Sequence, residues 1–93
     1  MKALWNGVVI AESQKTIVME RNHYFPPDDV KMEYLRKSSK VYTCPWKGDA
    51  VYYDVSVHGK TSSFAAWSYQ DPKDAAGSLR MRIAFAEGVE VVS

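Results

Sequence analysis

A single cysteine, Cys44, among 93 residues leaves the chain without an internal disulfide. A domain this small from an oxidising compartment usually carries several, so a reducing, cytoplasmic setting is expected. That one thiol and the two histidines, His23 and His58, cannot complete the tetrahedral ligand set of a structural zinc ion, so no metal site is expected. Asn6-Gly7 interrupts the short apolar start Ala3-Leu4-Trp5 well before a signal-peptide core of about 7–15 residues could form. No stretch approaches the roughly 20 apolar residues of a membrane helix. Neither sign of charge is in excess: 12 basic and 11 acidic residues leave +1. Nothing in that balance directs the protein to nucleic acid or to an anionic membrane. A glycine-serine phosphate loop is also absent, and no cofactor is expected.

The length suits one domain over residues 1–93, with every element sharing one core. The apolar share of 46% is ordinary, whereas 13% aromatic residues is high, so large rings must do much of the burying. Lys2–Trp5 and Val8–Ala11 flank Asn6-Gly7, the strongest hairpin signal in the chain. Thr16–Glu20 reads as a third strand. Asn22 to Pro27 reads as a departure from the sheet, because successive prolines lack ladder N–H groups. Asp28 is then placed to cap a short helix, with Val30 and Tyr34 near i, i+4 spacing and the helix ending at Ser38-Ser39. Val41–Cys44, Val51–Val57 and Phe64–Tyr69 read as further strands, with Val51, Tyr53, Val55 and Val57 on one face and Tyr52, Asp54 and Ser56 on the other. One helical turn within Lys73–Ser78 and a closing hairpin about Glu87-Gly88 complete the pattern. The expectation is a mainly β fold of small antiparallel sheets with one or two short helices.

Cys44 precedes Lys47 by three positions. A cation there could favour a nucleophilic thiolate, which makes Cys44 and Lys47 the candidate catalytic pair; a packed structural thiol is the simpler role. Asp28-Asp29 could hold a divalent cation, but helix capping is the plainer use of adjacent carboxylates. Tyr24, Trp46, Tyr52, Trp67 and Tyr69 are interleaved with polar residues, among them Lys47 and Asp54. Aromatic walls with a few polar groups make up the usual small-ligand pocket, and a planar, nucleoside-like ligand would suit this one. A compact core built from rings has the same composition. Exposed rings could equally dock a protein partner or a second copy of the chain.

Ala3-Leu4-Trp5-Asn6-Gly7, Asn22-His23-Tyr24-Phe25-Pro26, Thr43-Cys44-Pro45-Trp46-Lys47-Gly48, Tyr52-Tyr53-Asp54-Val55 and Ala66-Trp67-Ser68-Tyr69 occur in an order that resembles the domain of unknown function 427 family. The resemblance covers nearly the whole chain. It implies a bacterial single-domain protein whose architecture is similar to the β-tent group or a half-barrel, which includes methionine sulfoxide reductase B and the thalidomide-binding domain of cereblon. The paired zinc cysteines common in that group are missing here. The family is often labelled nucleotidyltransferase, although this chain has no spaced Asp-x-Asp pair to clamp a metal.

Overall fold

Asn6 and Gly7 take φ values of 49° and 78°, the left-handed pair that a tight hairpin turn requires. The computed structural model describes residues 1–93. Nine strands follow one another: β1 (Lys2–Trp5), β2 (Val8–Glu12), β3 (Ile17–Met19), β4 (Asn22–Tyr24), β5 (Leu35–Cys44), β6 (Gly48–Val57), β7 (Lys60–Tyr69), β8 (Ile83–Phe85) and β9 (Glu90–Val92). They form three antiparallel sheets, ordered β2-β1-β9, β3-β4 and β5-β6-β7-β8, and none closes into a barrel.

The four-stranded sheet has apolar residues on both faces, so its elements build two cores rather than the one shared core expected from the length. Leu35, Tyr53, Val55 and Val57 pack on one face with Ala3, Ile10 and Val89, which brings the β2-β1-β9 sheet over it. Cys44, Ala50, Tyr69 and Ala84 pack on the other face with Tyr24, Ala76 and Leu79. Phe25 belongs to the first core, meeting Phe85 edge-on at 5.6 Å between ring centroids. Its backbone exchanges two hydrogen bonds with Ile83, of 2.8 and 2.9 Å. That bridge ties the β3-β4 ribbon to the β8 edge, with Tyr24, one residue earlier, turned to the second core.

Three further sequence expectations are corrected. Residues 28–38 hold no α-helix: Pro27–Asp29 and Met32–Tyr34 are separate 3-10 turns, and Asp28 and Asp29 make no side-chain cap. Val30 between them is extended, at φ −109° and ψ 133°, because it bridges to Ala11 while Lys31 N–H donates to the Ile10 carbonyl. A partner on β2 wins over a weak local helical pattern. Asn22–Tyr24 stays in a sheet, paired with β3 through a turn in which Glu20 and Arg21 both have positive φ. The last two strands form no hairpin: β8 pairs with β7 and β9 with β1, so the Glu87-Gly88 turn passes the chain from one sheet to another. The helical turn expected near Lys73–Ser78 is present as a kinked 3-10 segment, Asp74–Leu79.

Candidate functional site

Strand alternation sets which side chains meet on the second face. Tyr52 on β6 lies directly opposite Trp67 on β7, and Ala50 opposite Tyr69. Alanine at positions 50 and 84 leaves room for the large neighbouring rings. Tyr52 and Trp67 are tilted at 35° with centroids 6.1 Å apart. Tyr24 reaches in from β4 and meets Trp67 edge-on at 6.3 Å, its hydroxyl accepting a 3.2 Å hydrogen bond from the indole Nε1–H. Tyr24 and Tyr69 stand 6.4 Å apart. Burial raises the pKa of Tyr24, Tyr52 and Tyr69 above the ordinary tyrosine value, with neighbouring ionisable groups adding to the effect, while the Trp67 hydrogen bond partly offsets it at Tyr24. All three phenols are therefore neutral at pH 7 and keep their protons for donation.

A lysine bounds this run of rings at each end. Cys44 pairs with Gly48 across the β5-β6 turn, whose three intervening residues are Pro45, Trp46 and Lys47. Gly48 has φ +109°, a region glycine enters at no steric cost. Lys73 braces the turn twice, its N–H donating to the Lys47 carbonyl at 2.9 Å and its Nζ to the Pro45 carbonyl at 2.6 Å. The turn holds Lys47 Nζ 5.0 Å from the Trp46 ring centroid and 5.5 Å from that of Tyr69. Lys47 is only 7% exposed. Desolvation lowers its pKa from the usual lysine value, and its ammonium is paired with the Glu20 carboxylate from the tip of the β3-β4 ribbon. At the other end, Lys40 Nζ lies 4.5 Å from the Tyr52 ring and 4.7 Å from that of Phe64, within cation–π range of both.

The family model described as domain of unknown function (DUF427), with the label NTP_transf_9, matches residues 1–93. The chain belongs to the DUF427 family. No curated protein matches it.

Of the residues singled out in this DUF427 sequence, Tyr24, Trp46, Lys47, Tyr52, Trp67 and Tyr69 come together in the run just described. Tyr24 and Tyr69 are its buried floor, Tyr52 and Trp67 are half-buried, and Trp46 is exposed. Asp54 shares the face but is engaged by the backbone. Tyr53 pairs with Ala66 and Val55 with Ser62, so Asp54 alone faces three residues of β7, Ser63 to Ala65. Its Oδ1 accepts a 2.9 Å hydrogen bond from the Phe64 N–H, and Phe64 sits at φ +55°. Cys44 is buried beside Tyr24 and Tyr69. His23 accepts or donates a 3.0 Å bond with Thr16 and lies outside the run.

A surface depression of about 350 Å³ opens on the opposite face, lined by Thr43, Gly48, Asp49, Val51, Gln70, Asp71 and Lys73. Thr43 on β5 and Asp49 and Val51 on β6 alternate with Tyr42, Ala50 and Tyr52, so these three side chains look away from the rings. Its carboxylates are engaged as well, Asp49 accepting from Thr43 at 2.7 Å and Asp71 pairing with the Arg80 guanidinium at 3.3 Å.

Glu20, Lys40 and Phe64 belong to the site and escaped the sequence reading. Glu20 lies in a turn with no glycine or asparagine to announce it. Lys40 and Phe64 are aimed by two bulges on either side of β6: Ser38, Ser39 and Lys40 lie opposite Tyr52 alone, and the Ser38 hydroxyl accepts from the Lys40 N–H at 2.9 Å. The Ser38-Ser39 pair was the available signal for an irregular strand.

Proposed function

We propose that the chain is a binding module for a small planar molecule, taken up on the aromatic face of the β5-β6-β7-β8 sheet. The observation that carries the reading is the run of four rings Tyr69, Tyr24, Trp67 and Tyr52, with Lys47 linking its Tyr69 end to Trp46 and Lys40 linking its Tyr52 end to Phe64. A ring system can stack on the half-buried Tyr52 and Trp67, with Tyr24 and Tyr69 packed beneath them as a rigid floor. The lone buried thiol fits a reducing bacterial cytoplasm.

Thermal shift and tryptophan fluorescence with a panel of nucleosides, nucleotides and aromatic acids test this proposal. The expected result is a saturable shift that Trp67→Leu and Tyr52→Leu each weaken at least fivefold. Binding that ignores both substitutions, or no shift across the panel, rejects it. Tyr42 and Phe64 are 56% and 43% exposed, which also suits a protein-facing surface. Light scattering separates the readings, since self-association abolished by Tyr42→Ser and Phe64→Ser would favour the second.

A further inference from the structure

Lys47 is the one buried lysine of the chain. An ammonium carries three donors, yet Lys47 Nζ has a single hydrogen-bond partner, Glu20. The walls around it are the rings of Trp46 and Tyr69. Desolvation without further hydrogen bonds makes this a hungry cation, strongly attractive to any oxyanion that can reach it.

Its present partner is half open to solvent. The Glu20 side chain is 52% exposed, so rotation would return it to water with little desolvation to oppose the move. It stands on the ribbon tip, where Glu20 and Arg21 take the left-handed φ of 51° and 70° that a two-residue hairpin turn requires, so the backbone holds its place whether or not the side chain meets Lys47. The pair joins the β3-β4 ribbon tip to the β5-β6 turn, 27 positions apart in sequence.

Resting on the planar-ligand reading above, we propose that Glu20 is the internal occupant of an anion site at Lys47, and that the ligand carries a carboxylate or phosphate that replaces it. The planar part stacks on the neighbouring rings, while the oxyanion takes the Lys47 ammonium and Glu20 swings to solvent. A neutral planar molecule makes no such exchange, so Glu20 stays on Lys47 and the anion site adds nothing to its binding. No bond is made or broken in the exchange.

Calorimetric titration of the full chain at low salt tests the exchange. Indole-3-carboxylate and adenosine monophosphate are compared with uncharged indole-3-carboxamide and adenosine, and inorganic phosphate probes the anion site without a ring. If Glu20 holds Lys47 for about nine-tenths of the time, removing its charge should tighten the anionic probes about tenfold, because apparent affinity scales with the competent fraction. Glu20→Gln removes the charge; Glu20→Asn does so with a residue that tolerates left-handed φ, which guards against a misfolded ribbon tip. Lys47→Met should bring each anionic probe down to the affinity of its neutral counterpart. The carboxylate and phosphate probes separately identify the preferred oxyanion.

Equal affinity for charged and neutral probes overturns the anion site and leaves the planar-ligand reading standing. Inorganic phosphate binding that depends on Lys47, with no contribution from any ring, does the reverse. Unchanged or weakened anion binding in both folded Glu20 variants refutes the occupant role, and silence from every probe refutes both proposals.

Discussion

Replacing Asp54 with alanine separates a backbone role from a ligand-orienting one. The Asp54 carboxylate accepts the Phe64 N–H at 2.9 Å and so pins a bulge whose central residue is at φ +55°. A hydrogen bond to a charged group contributes about 1.5–3 kcal/mol, and partial exposure puts this one near the lower end. Holding a phenylalanine left-handed costs about 1–2 kcal/mol, which the anchor offsets. Asp54→Ala should therefore cost about 1.5 kcal/mol. For a domain of this size each kcal/mol moves the midpoint by about 4–8 °C, so the fall should be about 6–12 °C. Asp54→Asn retains a carbonyl acceptor and should lose less than half as much. Phe64→Gly in the alanine background should recover part of the loss, because glycine accepts the angle freely. Differential scanning calorimetry with a ligand titration of each folded variant reads both quantities. A midpoint within about 1 °C of the parent, or equal losses for alanine and asparagine, would refute the anchoring argument. A large drop in affinity at unchanged stability would return Asp54 to the ligand.

The remaining expectations concern the buried groups and the turn. Cys44 should resist iodoacetamide at neutral pH and react once the protein unfolds; stoichiometric labelling of the native fold, read by mass, would reopen a nucleophilic role for it. In an ultraviolet alkaline titration, the phenols of Tyr24, Tyr52 and Tyr69 should ionise later than the rest, since burial raises all three. The unfolded chain then loses those protons first, near the ordinary tyrosine value of 10.0, so they contribute full stability below that pH and progressively less as pH rises through their native values. A chevron or urea series from pH 8 to 11 with no loss attributable to tyrosine would contradict this. Gly48→Ala should cost about 1–2 kcal/mol from its φ of +109° alone. The added Cβ meets the Asp71 carbonyl and Lys73 N at an ordinary 3.5 Å, so a much larger loss in urea unfolding would mean a packing clash after all.

Local chemistry was legible in the sequence wherever a turn carried its own signature. Asn6-Gly7 adopts the positive φ pair that a two-residue hairpin turn requires. The alternation along Val51–Val57 correctly separated a core face from a face bearing Tyr52 and Asp54. Illegible features are those decided by distant partners. Val30 is extended because Ala11 lies beside it, and β9 finds β1 across nearly the whole chain length. The rings of the site could be named but their order could not, because the Tyr52↔Trp67 register follows from bulges that insert residues opposite Tyr52 and Asp54. Glu20 was invisible for a related reason: its importance lies in a contact with Lys47 that no local pattern encodes.

Strand β5 pairs only with β6 and leaves its other side open for ten residues. An open edge of that length would template stacking of one molecule on the next, and proteins commonly blunt such edges with lysine, arginine and local irregularity. Here Arg36, Lys37 and Lys40 provide the charge and the bulge at Ser38–Lys40 breaks the straight run. Lys40 thus has two obligations, one toward the rings of Tyr52 and Phe64 and one toward colloidal stability. Engineering the aromatic surface for tighter stacking by making position 40 apolar would remove a gatekeeper in the same stroke, so affinity and solubility are coupled through that one side chain.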